Sequence, residues 1–98
     1  MTKFGELIDG QKPILLSFFA DWSEECKTIH DQLKDVSAAI GDKAKLIKID
    51  AEKNSELLDA LKVKKLPTYM LYRGNEMVWR QSGKLDANDL IILIEDNS

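Results

Sequence analysis

The residues best able to do chemistry lie close together, from Trp22 to His30, and include Ser23, Glu24, Glu25 and Cys26. Cys26 is the one cysteine among the 98 residues. A single thiol can take up a glutathione or a partner as a mixed disulfide, but it cannot close a disulfide within the chain. His30 follows Cys26 by one helical turn, where an imidazole could activate a thiol. The reading preferred here is a packed or partly exposed histidine. One cysteine and one histidine fall short of the three or four ligands of a zinc site, so no metal is expected, and no cofactor either.

The surroundings of Cys26 pull its charge state both ways. The start of a helix favours a thiolate. The carboxylates of Glu24 and Glu25, and burial, oppose it. The expectation is a sluggish thiol that packs as a small, semi-buried apolar residue. Ser23 reads as a helix N-cap, a role worth about 1 kcal/mol. Glu24 and Glu25 read as complements to the helix dipole, with an acidic lip that selects basic partners as the sharper alternative.

Several elements must hold this segment in place. Thr2 to Asp9 predicts a short helix with Phe4, Leu7 and Ile8 on one side and Gly10 as its stop. After Pro13 the run Ile14 to Phe19 is apolar on both faces except at Ser17, the pattern of a central strand covered on both sides. From Ser23, a helix carries Cys26, Ile29, Leu33, Val36 and Ile40 and ends at Gly41. Ala44 to Asp50 predicts a second strand. Asn54 could cap a helix carrying Leu57, Leu58 and Leu61. Thr68 to Tyr72 and Glu76 to Gln81 predict a hairpin around Gly74-Asn75. Trp79 falls in its second strand as a surface or half-buried residue with no assigned role. Gly83 breaks the chain, and a last helix starts at Asp86 or Asn88 and carries Leu90, Ile91, Leu93 and Ile94.

The order α-β-α-β-α-β-β-α implies a right-handed parallel crossover followed by an antiparallel hairpin. In open α/β sheets, sites form where strand carboxyl ends meet helix N-termini. Here that is Ala20 to Cys26.

The bulk numbers narrow the function classes. The length suits one domain, residues 1–98, and 44% apolar with 32% charged residues is an ordinary globular balance. The net charge of −3 disfavours nucleic acid and anionic membranes as partners. The opening residues, Met1 to Leu7, carry no long apolar run after a basic start. The expectation is therefore no signal peptide, no membrane span, a cytoplasmic location and a monomer.

The stretch Phe18-Phe19-Ala20-Asp21-Trp22-Ser23-Glu24-Glu25-Cys26-Lys27 resembles the thioredoxin motif F-x-A-x-W-C-G-P-C-K. Leu66-Pro67-Thr68 is similar to that family's cis-proline loop, Tyr72 to Glu76 to its hairpin, and Gly83 to a glycine before its last helix. The resemblance covers nearly the whole chain, in order and at matching spacings. It implies an α/β thioredoxin fold, a four-stranded mixed sheet with helices on both faces. The N-terminal edge strand of longer members is expected to be absent, which leaves Ala44 to Asp50 at an edge. Lys45 and Lys48 there would discourage edge pairing.

The same resemblance implies lost chemistry. The family's attacking cysteine aligns with Ser23, and a serine hydroxyl does not exchange with disulfides. Cys26 aligns with the resolving cysteine and is the candidate catalytic residue of a weak monothiol protein. The family's buried carboxylate aligns with Ser17, and the lysine often paired with it with Leu46. Ser17 and Ser23 are thus degenerate positions. The resemblance also implies a peptide-binding groove made by Trp22, Leu66, Pro67 and Thr68, and such binding needs no sulfur chemistry. The preferred function is a binding or regulatory module without a dithiol. The alternatives are a monothiol redox protein acting through Cys26, then ordinary thioredoxin activity.

Overall fold

The computed structural model describes residues 12–83 and 85–97. The expected helix Thr2 to Asp9 and its stop Gly10 lie outside the described residues. Strand β1 (Ile14–Phe19) is buried along its whole length. It pairs in parallel with β2 (Lys45–Asp50) and antiparallel with β3 (Thr68–Arg73), which pairs antiparallel with β4 (Glu76–Ser82). Among the described residues the sheet order is β2-β1-β3-β4, so the expected mixed sheet of four strands forms there with β2 at an edge. Its burial is accordingly patchy, with Lys45 and Lys48 exposed.

Among the described residues, three α-helices cover the sheet: α1 (Ile29–Ile40), α2 (Ser55–Ala60) and α3 (Ala87–Asp96). Alternation along β1 divides the core in two. Leu15 and Phe19, with Tyr69 and Leu71 of β3, pack against Ile29, Leu33, Val36 and Ile40 of α1 and Leu90 and Ile94 of α3. Ile14, Leu16 and Phe18 point the other way, joining Ile49, Met70 and Tyr72 beneath Leu57, Leu58 and Leu61. The first layer is deeper, because α1 and α3 each bury residues fully and α2 buries none.

Turn chemistry follows the sequence closely. Gly74 (φ 59°) and Asn75 (φ 68°) both adopt the left-handed conformation that a two-residue hairpin turn requires. Gly41 (φ 57°) ends α1. One irregularity was not foreseen. Leu71 pairs with Trp79 and Tyr72 with Met77, which leaves Val78 as the extra residue of a β-bulge.

The start of α1 differs from expectation. Glu24–Cys26 forms a short 3-10 turn, and the α-helix begins only at Ile29, after Thr28. Ser23 holds the capping position with extended backbone, but its side chain makes no capping hydrogen bond. Without that bond, a tight turn closed by backbone groups begins the helix instead. Asn54 and Asp86 also occupy capping positions without side-chain caps. The Asn54 amide instead donates to the Asp50 carbonyl, at 2.9 Å.

Candidate functional site

Register places the two conspicuous loops at one end of the sheet. Phe18 pairs with Thr68, so the turn leaving β1 and the loop entering β3 emerge side by side. The first loop is closed by backbone hydrogen bonds. The Ser23 amide donates to the Ala20 carbonyl at 3.1 Å and the Cys26 amide to the Ser23 carbonyl at 3.1 Å. This folding turns Trp22 outward, 69% exposed, and carries Cys26 inward, 3% exposed. Ser23 is also buried.

The second loop contains a cis peptide bond between Leu66 and Pro67. It is held from several sides. The Gly83 amide donates to the Pro67 carbonyl at 2.8 Å. The Thr68 hydroxyl donates to the Lys65 carbonyl and lies 3.0 Å from the Ser82 hydroxyl. Pro67 and Thr68 are buried and shape the loop from inside, so their side chains do not line a surface as expected. Of the expected groove residues, Trp22 is mostly exposed, while half-buried Leu66 packs against both core layers. The Leu66 backbone forms no hydrogen bond with any described residue, which leaves its peptide groups open to a partner.

Beneath the turn, Ser17 and Tyr69 are opposed in the β1–β3 ladder, so their side chains share a face. That face belongs to the core layer that contains Cys26. Ser17 is buried, and its Oγ has no hydrogen-bond partner among the described residues. The Tyr69 hydroxyl donates to Gln32 Oε1 of α1 at 2.9 Å, and Gln32 Nε2 donates to the Leu85 carbonyl. Burial, and then the charge of Cys26, push the Tyr69 hydroxyl up to about 12 from its usual 10.0. Sequence reasoning missed this Tyr69–Gln32–Leu85 chain. Gln32 lies beside the apolar stripe of α1, one residue before Leu33, which was the only available signal.

The remaining candidates do not converge on the thiol. His30 Nδ1 lies 3.0 Å from Lys48 Nζ, and its ring meets Phe19 edge-on with centroids 5.0 Å apart. An ammonium can only donate, so Nδ1 accepts. The Cys–His pairing weighed from the sequence is thus not formed. Leu46 pairs with Leu15 in register and packs against the core layer, so an apolar side chain fills that position. Glu24 forms an exposed ion pair with Lys27 at 3.1 Å. Chemically, the site has one buried thiol, a hydroxyl with no partner among the described residues at the expected base position, and an exposed indole on the turn that leaves β1.

Comparisons with known proteins agree with this architecture. The family model described as thioredoxin matches residues 1–96. Rice thioredoxin Y, a chloroplastic protein, is 35% identical over 95 residues, covering 96% of this chain and 56% of that protein. Thioredoxin-1 of Drosophila yakuba is 34% identical over 85 residues, covering 85% of this chain and 79% of that protein. The chain thus spans little more than half the length of the plant relatives it matches. Among solved structures, a thioredoxin-2 described as a component of malaria parasite protein secretion machinery superposes with a TM-score of 0.83 at 33% identity, covering 87% of this chain and 82% of that one. A mutant thioredoxin from Halobacterium salinarum reaches 0.86 at 28% identity, covering 99% and 84%.

Proposed function

The chain belongs to the thioredoxin family, and we propose that it works there as a binding module without dithiol chemistry, holding an extended partner peptide against Trp22 and the Leu66 backbone. The observation that carries this reading is the contrast within one turn. Cys26, the sole thiol, is 3% exposed, whereas Trp22 four residues earlier is 69% exposed. A peptide laid across the loop can hydrogen-bond to Leu66 and pack on Trp22 without meeting a thiol.

Electron transfer fares worse on the same residues. Had Cys26 been attacked or oxidised, no second thiol could release the adduct. Well-placed intramolecular attack is worth effective molarities of up to ~10⁵–10⁸ M. External thiols cannot supply that. The monothiol alternative needs the Cys26 sulfur to come out of the core.

A net charge of −3 favours a protein or peptide partner over nucleic acid or an anionic membrane, and the chain is taken to bind as a monomer. Among the described residues, no helix is long and apolar enough to cross a membrane. A cytoplasmic location is part of the proposal and draws no support from the plant relatives, which are named as chloroplastic.

Affinity capture from cell extract tests this with three forms of the chain. Partners should be retained by the wild type and by Cys26→Ser, and lost with Trp22→Ala. Partners that require Cys26, or that persist with Trp22→Ala, would overturn the reading.

A further inference from the structure

A second surface lies away from the Trp22 turn. A shallow groove of about 370 Å³ runs between β4 and α3, and its lining includes Trp79, Leu85, Ile92 and Leu93, with Asp89 and Asp96 at its rim. Trp79, Leu85 and Leu93 are half-buried against the core, while Ile92 is 57% exposed. Asp89, Ile92, Leu93 and Asp96 are spaced i, i+3, i+4, i+7, so they share one face of α3. A rise of 1.5 Å per residue separates the two carboxylates by about 10 Å along the axis, with the apolar centre between them. Among the described residues, no lysine or arginine lines the groove.

The strand side narrows what could occupy it. β4 ends the sheet order among the described residues, but Val78 bulges beside Trp79 and interrupts the regular ladder. A bulge of this kind twists an edge strand away from regular pairing, so side-chain docking suits the groove better. An exposed isoleucine between two carboxylates calls for an apolar ridge flanked by cations.

We propose that the β4–α3 groove docks an amphipathic helix of a partner protein, with apolar side chains at its centre and Lys or Arg seven residues apart to meet Asp89 and Asp96. Neither Trp22 nor Leu66 lines this groove. Apolar burial on Ile92, Leu93 and Trp79 supplies attraction, and the two carboxylates set orientation and select against acidic helices.

The probe is a 16-residue alanine-based peptide with two central leucines and two lysines seven residues apart, compared with a twin carrying glutamates in place of the lysines. ¹H–¹⁵N spectra of the chain are followed during titration. Saturable shifts are expected at the Trp79 indole and at Ile92 and Leu93, with the Trp22 indole unmoved. The Asp89→Asn/Asp96→Asn double variant should weaken binding roughly five- to tenfold at low salt, as the loss of two exposed ion pairs implies. Absence of saturable shifts at these residues, equal binding of the glutamate twin, or a double variant that binds as well as the wild type would each overturn the proposal. Shifts at the same residues that grow with protein concentration alone would give the groove to a second copy of this chain, and would overturn it too. Circular dichroism checks that the variants are folded.

Discussion

The two halves of the site treat their polar atoms in opposite ways. On the side of β1 and its turn, the Ser17 hydroxyl is buried without a partner among the described residues and Cys26 is buried. On the side of β3 and its loop, the polar atoms are tied down. Thr68 bonds to Lys65 and lies against Ser82, Pro67 accepts from Gly83, and Tyr69 donates to Gln32. Ser23 and Ser17 stand where the thioredoxin motif would have its attacking cysteine and its base, while hydrogen bonds hold the cis-proline loop. The recognition proposed for this loop therefore depends on different side chains from dithiol chemistry.

The largest expected break in that contrast comes from pH. Below about pH 10, folded and unfolded chains both hold the Tyr69 phenolic proton, and its burial adds no pH dependence. Between about 10 and 12 the unfolded chain loses the proton while the folded chain keeps it. Stability therefore falls as pH rises through this window, by on the order of 2 kcal/mol. Urea unfolding at pH 8 and pH 11 captures about half of the fall, and it should be clearly smaller in Tyr69→Phe. An equal fall in the variant would show that Tyr69 is not its source.

At neutral pH the same variant sharpens the comparison. Tyr69→Phe leaves Gln32 Oε1 without its donor, at a cost of about 1–2 kcal/mol in urea unfolding. A loss of well under 0.5 kcal/mol would mean that water replaces the hydroxyl freely.

Next comes the contrast between the two buried hydroxyls. Thr68→Val should cost about 1 kcal/mol, since it breaks the bond to Lys65 and the contact with Ser82. Ser17→Ala removes a hydroxyl that has no partner among the described residues, so it should be neutral or stabilise by up to ~1 kcal/mol. A cost above about 2 kcal/mol for Ser17→Ala would show that the hydroxyl is satisfied after all and would remove the contrast.

The smallest stability effect belongs to Trp22. Trp22→Ala should change stability by no more than about 0.5 kcal/mol, because the indole is mostly in solvent. Thermal unfolding checks this, and it separates lost binding from lost folding in the capture experiment.

Much of this architecture was legible in the sequence. The apolar run Ile14 to Phe19 marked the central strand, and the Gly74-Asn75 turn fixed the hairpin. Helix α1 was harder. Periodicity from Cys26 to Ile40 suggested one continuous helix, but periodicity registers only which side is buried. Cys26 is buried in the 3-10 turn as it would be in a helix, so the break at Lys27 and Thr28 left no trace in the pattern. In the site, Ser17, Ser23 and Cys26 stood out through the resemblance. The Tyr69–Gln32–Leu85 chain did not, because it joins residues 37 and 53 positions apart. Trp79 looked unremarkable for a similar reason. Its importance comes from α3 lying beside it, which no local pattern encodes.

Multiple-turnover reduction of a protein disulfide is the most direct test of whether this chain carries electrons. With insulin as substrate and dithiothreitol as the reductant, the wild type should run no faster than Cys26→Ser or the reagent alone. A wild-type rate well above background over many cycles, abolished by Cys26→Ser, would contradict the account.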